Sequence, residues 1–151
     1  TISIVDAYGT TKNLTIKDVT AMPQAVNQQD CPVLAPKPDN FVSDLSVARD
    51  TYGADASFKS WSYRLTYNLY FAPALQGIGL FEKYGAMVTC AAAVLLHFAT
   101  NTNLSGSTDC QVQSVPRFGS MRDFSGTGPE GSGTLFHGCE IAFLGEQFAE
   151  V

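Results

Sequence analysis

Between Ser57 and Phe71 the chain reads SFKSWSYRLTYNLYF, and this alternation constrains the fold more than any other feature. Trp61, Tyr63, Leu65, Tyr67, Leu69 and Phe71 are large and apolar or aromatic, while Ser60, Ser62, Arg64, Thr66 and Asn68 fall between them. Period-two alternation places the two sets on opposite faces of a strand. Such a strand is more than twice the mean length of about 5 to 6 residues. Its odd-numbered face demands a core, and its polar stripe is expected to face away from that core.

A chain of 151 residues with 45% hydrophobic content can bury a substantial core as one domain. Charged residues make up only 15%, against the usual quarter or so, which points to surface buried against partner chains. The net charge of -5 argues against a basic surface that grips phosphate backbones. Cys31, Cys90, Cys110 and Cys139 are scattered without a CxxC pair, and His97 and His137 lie far apart. No zinc site or other cofactor is expected, and buried thiols are preferred over bridges. The run Gly85–Ala99 is shorter than the roughly 20 residues that span hydrocarbon. It is expected to be a helix buried on most sides, with no membrane partner. The start lacks a basic leader followed by an apolar run, so a cytosolic product is expected.

Along the chain, residues 1–30 read as an N-terminal arm and 31–151 as a single α+β domain. In the arm, Ile2–Val5 suggests a short strand, and Pro23 interrupts a possible helical turn. Val33 and Leu34 lie between prolines, which allows an edge-like extended segment. A strand around Phe41–Val47 precedes the long one. Glycines and a proline then lead to a helix from about Leu80 to Ala99, with apolar residues at three-and-four spacing. Cys110–Phe118 predicts a third strand, Gly119–Gly133 a glycine-rich loop, and the segment TLFHGCEIAFLGEQF a fourth strand. The predicted plan is β-β-α-β-β: a mostly antiparallel four-stranded sheet with one main helix on one face.

Catalytic patterns are weak. GTGPEG at Gly126–Gly131 fits GxGxxG, but a strand rather than a helix follows it, so no helix N-terminus is there to hold a pyrophosphate. Ser132 between glycines lacks the strand-to-helix turn of a nucleophile elbow. His137 lies mid-strand with Glu140 on the opposite face, and His97 in the last helical turn meets the helix dipole. No enzyme activity is expected. Arg64, Thr66 and Asn68 on the polar stripe, with Arg117, Met121, Arg122 and Phe124 near the glycine-rich loop, are the candidate contact residues.

The proline-flanked CPVLAPKP segment, the strand WSYRLTYNLYF, the Ala-Pro turn into an apolar helix and the ending FHGCEIAFLGEQF together resemble tail terminator, or tail completion, proteins of long-tailed bacteriophages. The resemblance covers roughly Cys31–Phe148. It implies a structural virion protein of the tail neck, made in the host cytoplasm, that forms a ring, typically a hexamer, on the last tail-tube ring. Such a ring ends tube polymerisation and joins the tail to the head connector, while DNA passes without specific binding. Its partners are copies of itself, the tail tube protein and the connector or stopper. Two other readings stay open: a head-completion or capsid-decorating protein, and a small α+β ligand-binding or enzyme domain with Tyr63 and Tyr67 as its polar groups.

Overall fold

The computed structural model describes residues 1–17, 26–37, 42–49, 58–74, 80–101, 108–112, 117–122 and 135–150. It has an α+β architecture with one main helix. The strands are β1 (Ser3–Val5), β2 (Thr11–Asn13), β3 (Thr15–Ile16), β4 (Val33–Pro36), β5 (Val42–Arg49), β6 (Phe58–Pro73), β7 (Thr108–Val112), β8 (Arg117–Arg122) and β9 (Leu135–Glu150), and helix α1 spans Leu80–Thr100. β1 and β2 form a separate hairpin, and the other seven strands form one mixed sheet.

That sheet is organised by two 16-residue strands, β6 and β9, which pair antiparallel along nearly their whole length. Each long strand carries two short strands in series on its outer side. β4 pairs with β6 through Val33–Pro36 and β5 through Val42–Arg49. β8 and β7 divide β9 in the same way. The sheet has seven strands rather than the expected four: the expected third strand corresponds to β7 and β8, and β4 and β3 add beside β6. β4 is not an edge, since β3 covers its outer side. β4 ends opposite Tyr67 and β5 begins opposite Leu65, while β8 begins opposite Glu140 and β7 ends opposite Phe143.

On the odd face of β6, Leu69 and Phe71 join Leu34, Cys139, Ile141 and Phe143 beneath Met87, Cys90, Ala91 and Val94 of α1. Ile2, Ile4 and Leu14 complete this cluster, so the first residues of the arm pack on the domain as a hairpin. Its turn is held by the Asp6 carboxylate, which accepts the N–H groups of Tyr8 at 2.8 Å and Thr10 at 2.9 Å. Gly9 supplies the left-handed turn position with φ 81°. The possible helical turn before Pro23 lies outside the described residues.

The helix is not buried on most sides. Met87, Cys90, Ala91 and Val94 face the sheet, but Glu82, Gly85, Thr89, Ala92, Leu96 and Ala99 are exposed on the other side. By length and composition Glu82–Thr100 is apolar enough to cross a membrane, yet its inner face is part of the core just described.

A candidate assembly surface

β4 and β8 flank one end of the β6–β9 ladder, the proximal half, and β5 and β7 flank the other, the distal half; α1 lies against β7 as well as β6 and β9. In the proximal half both faces are closed. The odd face carries the main core. On the even face, Tyr70 and Phe136 meet edge to face, with ring centroids 5.5 Å apart, in a second buried cluster with Val26, Cys31 and Val33.

The polar stripe lies on the face away from the main core, as expected, but this second cluster covers that face at its proximal end. Thr66 is 3% exposed and Asn68 is 7% exposed. The Asn68 amide donates to the Tyr70 hydroxyl at 3.2 Å, and the Thr66 carbonyl accepts the Lys37 backbone N–H at 2.9 Å. Asn68 Oδ1 and Arg64 Nε are buried without a hydrogen-bond partner. Of the three stripe residues proposed as contacts, only half-buried Arg64 presents surface. Glu140, opposite Asn68 in the ladder, forms a 2.7 Å ion pair with Lys37.

The distal half is different. Phe98, near the end of α1, packs on Phe143 with centroids 4.5 Å apart, and Phe143 sits opposite Leu65. Beyond that point Trp61 and Tyr63 are half-buried and pack against neither buried cluster. The Tyr63 ring lies over Gly145, where an added Cβ would come within 2.5 Å of it, so the glycine makes room for the ring. On β5, Val42 is 52% and Leu45 is 66% exposed. A register shift between Ser43 and Ser46 bulges this strand, with Asp44 at φ 54°. Aspartate tolerates the left-handed region better than most residues, and bulges recur at sheet edges. The half therefore presents the large apolar side chains of Val42, Leu45, Trp61 and Tyr63, over about 26 Å of strand at roughly 3.3 Å per residue.

No known family's sequence pattern matches the chain, and no curated protein is similar to it.

The contact residues expected near the glycine-rich loop divide in two. Arg117, Met121 and Arg122 belong to strand β8, with backbones opposite Glu140, Phe136 and Leu135, so the loop cannot begin at Gly119 as expected. The β-ladder with β9 overrides the turn tendency of Gly119 and Ser120. Phe124, the GTGPEG segment and Ser132 lie outside the described residues.

The groups that suggested chemistry are placed in structural settings. His137 is buried in β9 opposite Ala72, and His97 meets the Phe98 ring edge to face at 5.9 Å. Cys90 and Cys139 are buried thiols whose pKa values burial pushes up to about 12, which suppresses the reactive thiolate. Among the described residues no group of three or more His, Cys, Asp or Glu is placed to hold a metal. A hollow of about 120 Å³ beneath the β1–β2 turn is lined by Asp6, Lys12, Gln28, Cys31 and Phe71 among others. An open groove of about 360 Å³ runs between β1 and the exposed side of α1, beside Leu96 and His97. Both lie away from Tyr63 and Tyr67, the groups expected to line a ligand pocket.

Proposed function

We propose that this chain is a structural virion protein of the tail-terminator or tail-completion kind. Copies of it form a ring, in the hexameric order the resemblance implies, at the head-proximal end of a phage tail tube. The ring ends tube growth and joins the tail to the head connector. What supports the reading is the distal half: a sheet extension with half-exposed Trp61 and Tyr63 and exposed Val42 and Leu45. A sheet face of this kind is stable when another layer covers it. Low charge density and net acidity suit a subunit that makes broad neutral contacts and lets DNA pass.

The test is imaging of assembled particles carrying a label on this chain. A single ring of label at the neck is expected, and loss of the chain should give overlong tails or tails without heads. Label scattered over the capsid would transfer the protein to the decorating class, and label absent from particles would end the virion reading.

A further inference from the structure

The hollow beneath the β1–β2 turn carries two opposite charges that do not close on each other. Asp6 is 8% exposed, and its Oδ1 already accepts the Tyr8 and Thr10 N–H groups. Its Oδ2 faces Lys12 Nζ at 3.6 Å. A direct ammonium–carboxylate hydrogen bond is about 2.7 to 2.9 Å long, so the two groups stand side by side with their hydrogen-bonding capacity unspent. Among the described residues, no other group bonds Oδ2 or Nζ.

The rest of the hollow is built around this pair. Phe71, Ala72 and Pro73 of β6 add an apolar wall. Gln28 and Gln29, both exposed, line it as well, so it reaches the surface. The turn is also held from outside the hairpin: Lys83 of α1 donates to the Ala7 carbonyl at 2.9 Å and lies 5.6 Å from the Tyr8 ring centroid. Walls fixed before a ligand arrives lower the ordering cost of binding.

Size and charge select the occupant. A cavity of about 150 Å³ is filled by one benzene, so about 120 Å³ has room for roughly five non-hydrogen atoms. An anion is repelled by Asp6 and a cation by Lys12, and either must also shed its hydration. A neutral planar group with a donor and an acceptor side by side meets both: its N–H turns to Oδ2 and its C=O to Nζ. That group is a carboxamide. A ligand lacking either function displaces water from one charge without replacing the hydrogen bond.

We propose that the hollow is a binding socket for one carboxamide on a short apolar body, held between Asp6 Oδ2 and Lys12 Nζ. The same chemistry is offered by a free small amide and by an Asn or Gln side chain of a polypeptide. The inference goes beyond the virion reading and does not rest on it.

The test is an amide-resolved NMR titration of the full chain with propionamide, a carboxamide of the right size. Saturable shifts centred on the amides of Tyr8, Thr10, Gln28, Gln29 and Ala72 are expected, with a Kd of about 10 mM or tighter. Propionate, butanone and glycine, of similar size, test in turn the added charge, the missing donor and the zwitterion; each should bind at least about tenfold more weakly. Equal or tighter binding of any of them would overturn the assignment, as would no saturation by propionamide at about 100 mM. Lys12→Met keeps the side-chain stem but removes the ammonium, and should weaken propionamide binding at least about tenfold; unchanged binding to the folded variant would also refute the socket. The ligand series needs no variant, so it decides the matter even if Lys12→Met fails to fold. Capped Gly-Gln-Gly and Gly-Glu-Gly peptides separate the two sources. Binding of the Gln peptide at least as tight as propionamide assigns the socket to a polypeptide side chain, and propionamide binding without peptide binding assigns it to a free amide. A Glu peptide that bound equally well would overturn the proposal.

Discussion

The proximal and distal halves of the β6–β9 ladder are made from the same two strands, yet they are stabilised in different ways. In the proximal half a helix and hairpin close one face, an aromatic cluster closes the other, and Glu140 is paired with Lys37. In the distal half Trp61 and Tyr63 remain half-exposed, and Val42 and Leu45 are exposed. The difference teaches that strand pairing alone does not make a core. A ladder satisfies the backbone in both halves, but only packing layers on both faces remove apolar surface from water.

The sharpest way to break this comparison is to truncate odd-face residues of β6 in each half. Leu69→Ala, at a site with 0% exposure, should cost about 2 to 5 kcal/mol through lost burial and a residual cavity. Trp61→Ala should cost clearly less stability but reduce self-association. Urea unfolding of both variants decides the matter: equal losses would mean that the distal half has a core after all. Leu65 and Tyr67, which sequence alone nominated for the core, are half-buried and should fall between the two.

Asp6→Ala removes the acceptor for two backbone N–H groups in the hairpin that covers α1, and should cost about 1 to 3 kcal/mol. The same group makes a pH prediction. Burial alone would raise the Asp6 carboxyl, but the N–H donors of Thr10 and Tyr8 together with Lys12 outweigh it and hold it below the usual carboxylate range. Its contribution is therefore present above the unfolded-state pKa, near 3.8, and is lost as pH falls through the lower folded-state value. The stability difference between parent and Asp6→Ala should narrow in that acidic window; a difference independent of pH down to the lowest measurable values would refute the assignment.

Smaller effects sharpen the comparison further. Gly145→Ala pushes on Tyr63, whose ring is half-exposed and able to swing away, so about 1 kcal/mol or less should be lost while association weakens. A drop of several kcal/mol in thermal unfolding would show that the distal aromatic is rigidly packed. Asn68→Leu exchanges a buried amide with an unpartnered oxygen for an apolar group of similar size, and its effect should lie within about 1 kcal/mol of zero. Strong destabilisation would mean that the Asn68–Tyr70 hydrogen bond carries more of the even face than its neutral, 3.2 Å geometry implies.

The long alternating strand and the helix at Leu80–Thr100 were legible because each is a local periodicity. The burial of Thr66 and Asn68 was not, since the second layer near them includes Val26 and Cys31, more than thirty residues earlier in the chain. The expected third strand, Cys110–Phe118, is divided between β7 and β8, because their separate pairings with β9 and not a local periodicity set their bounds. The β1–β2 hairpin also left a trace. Asp6 and Gly9 are turn residues, and Ile2, Ile4, Lys12 and Leu14 alternate around them, but the segments are too short for alternation alone to decide. Among the expected contact residues, Arg64 stands on the strand where the sequence put it, but Met121 and Arg122 were expected in a loop and lie in β8, because pairing between strands far apart in the chain has no local signature.

The pairing of β6 with β9 along nearly their whole length has a kinetic consequence. Helix α1 and strands β7 and β8 all lie between the two strands in the chain, so a long loop must close before any of this ladder forms. Because loop-closure entropy is lost before the contacts repay it, the central ladder is expected to set the folding rate rather than the local helix.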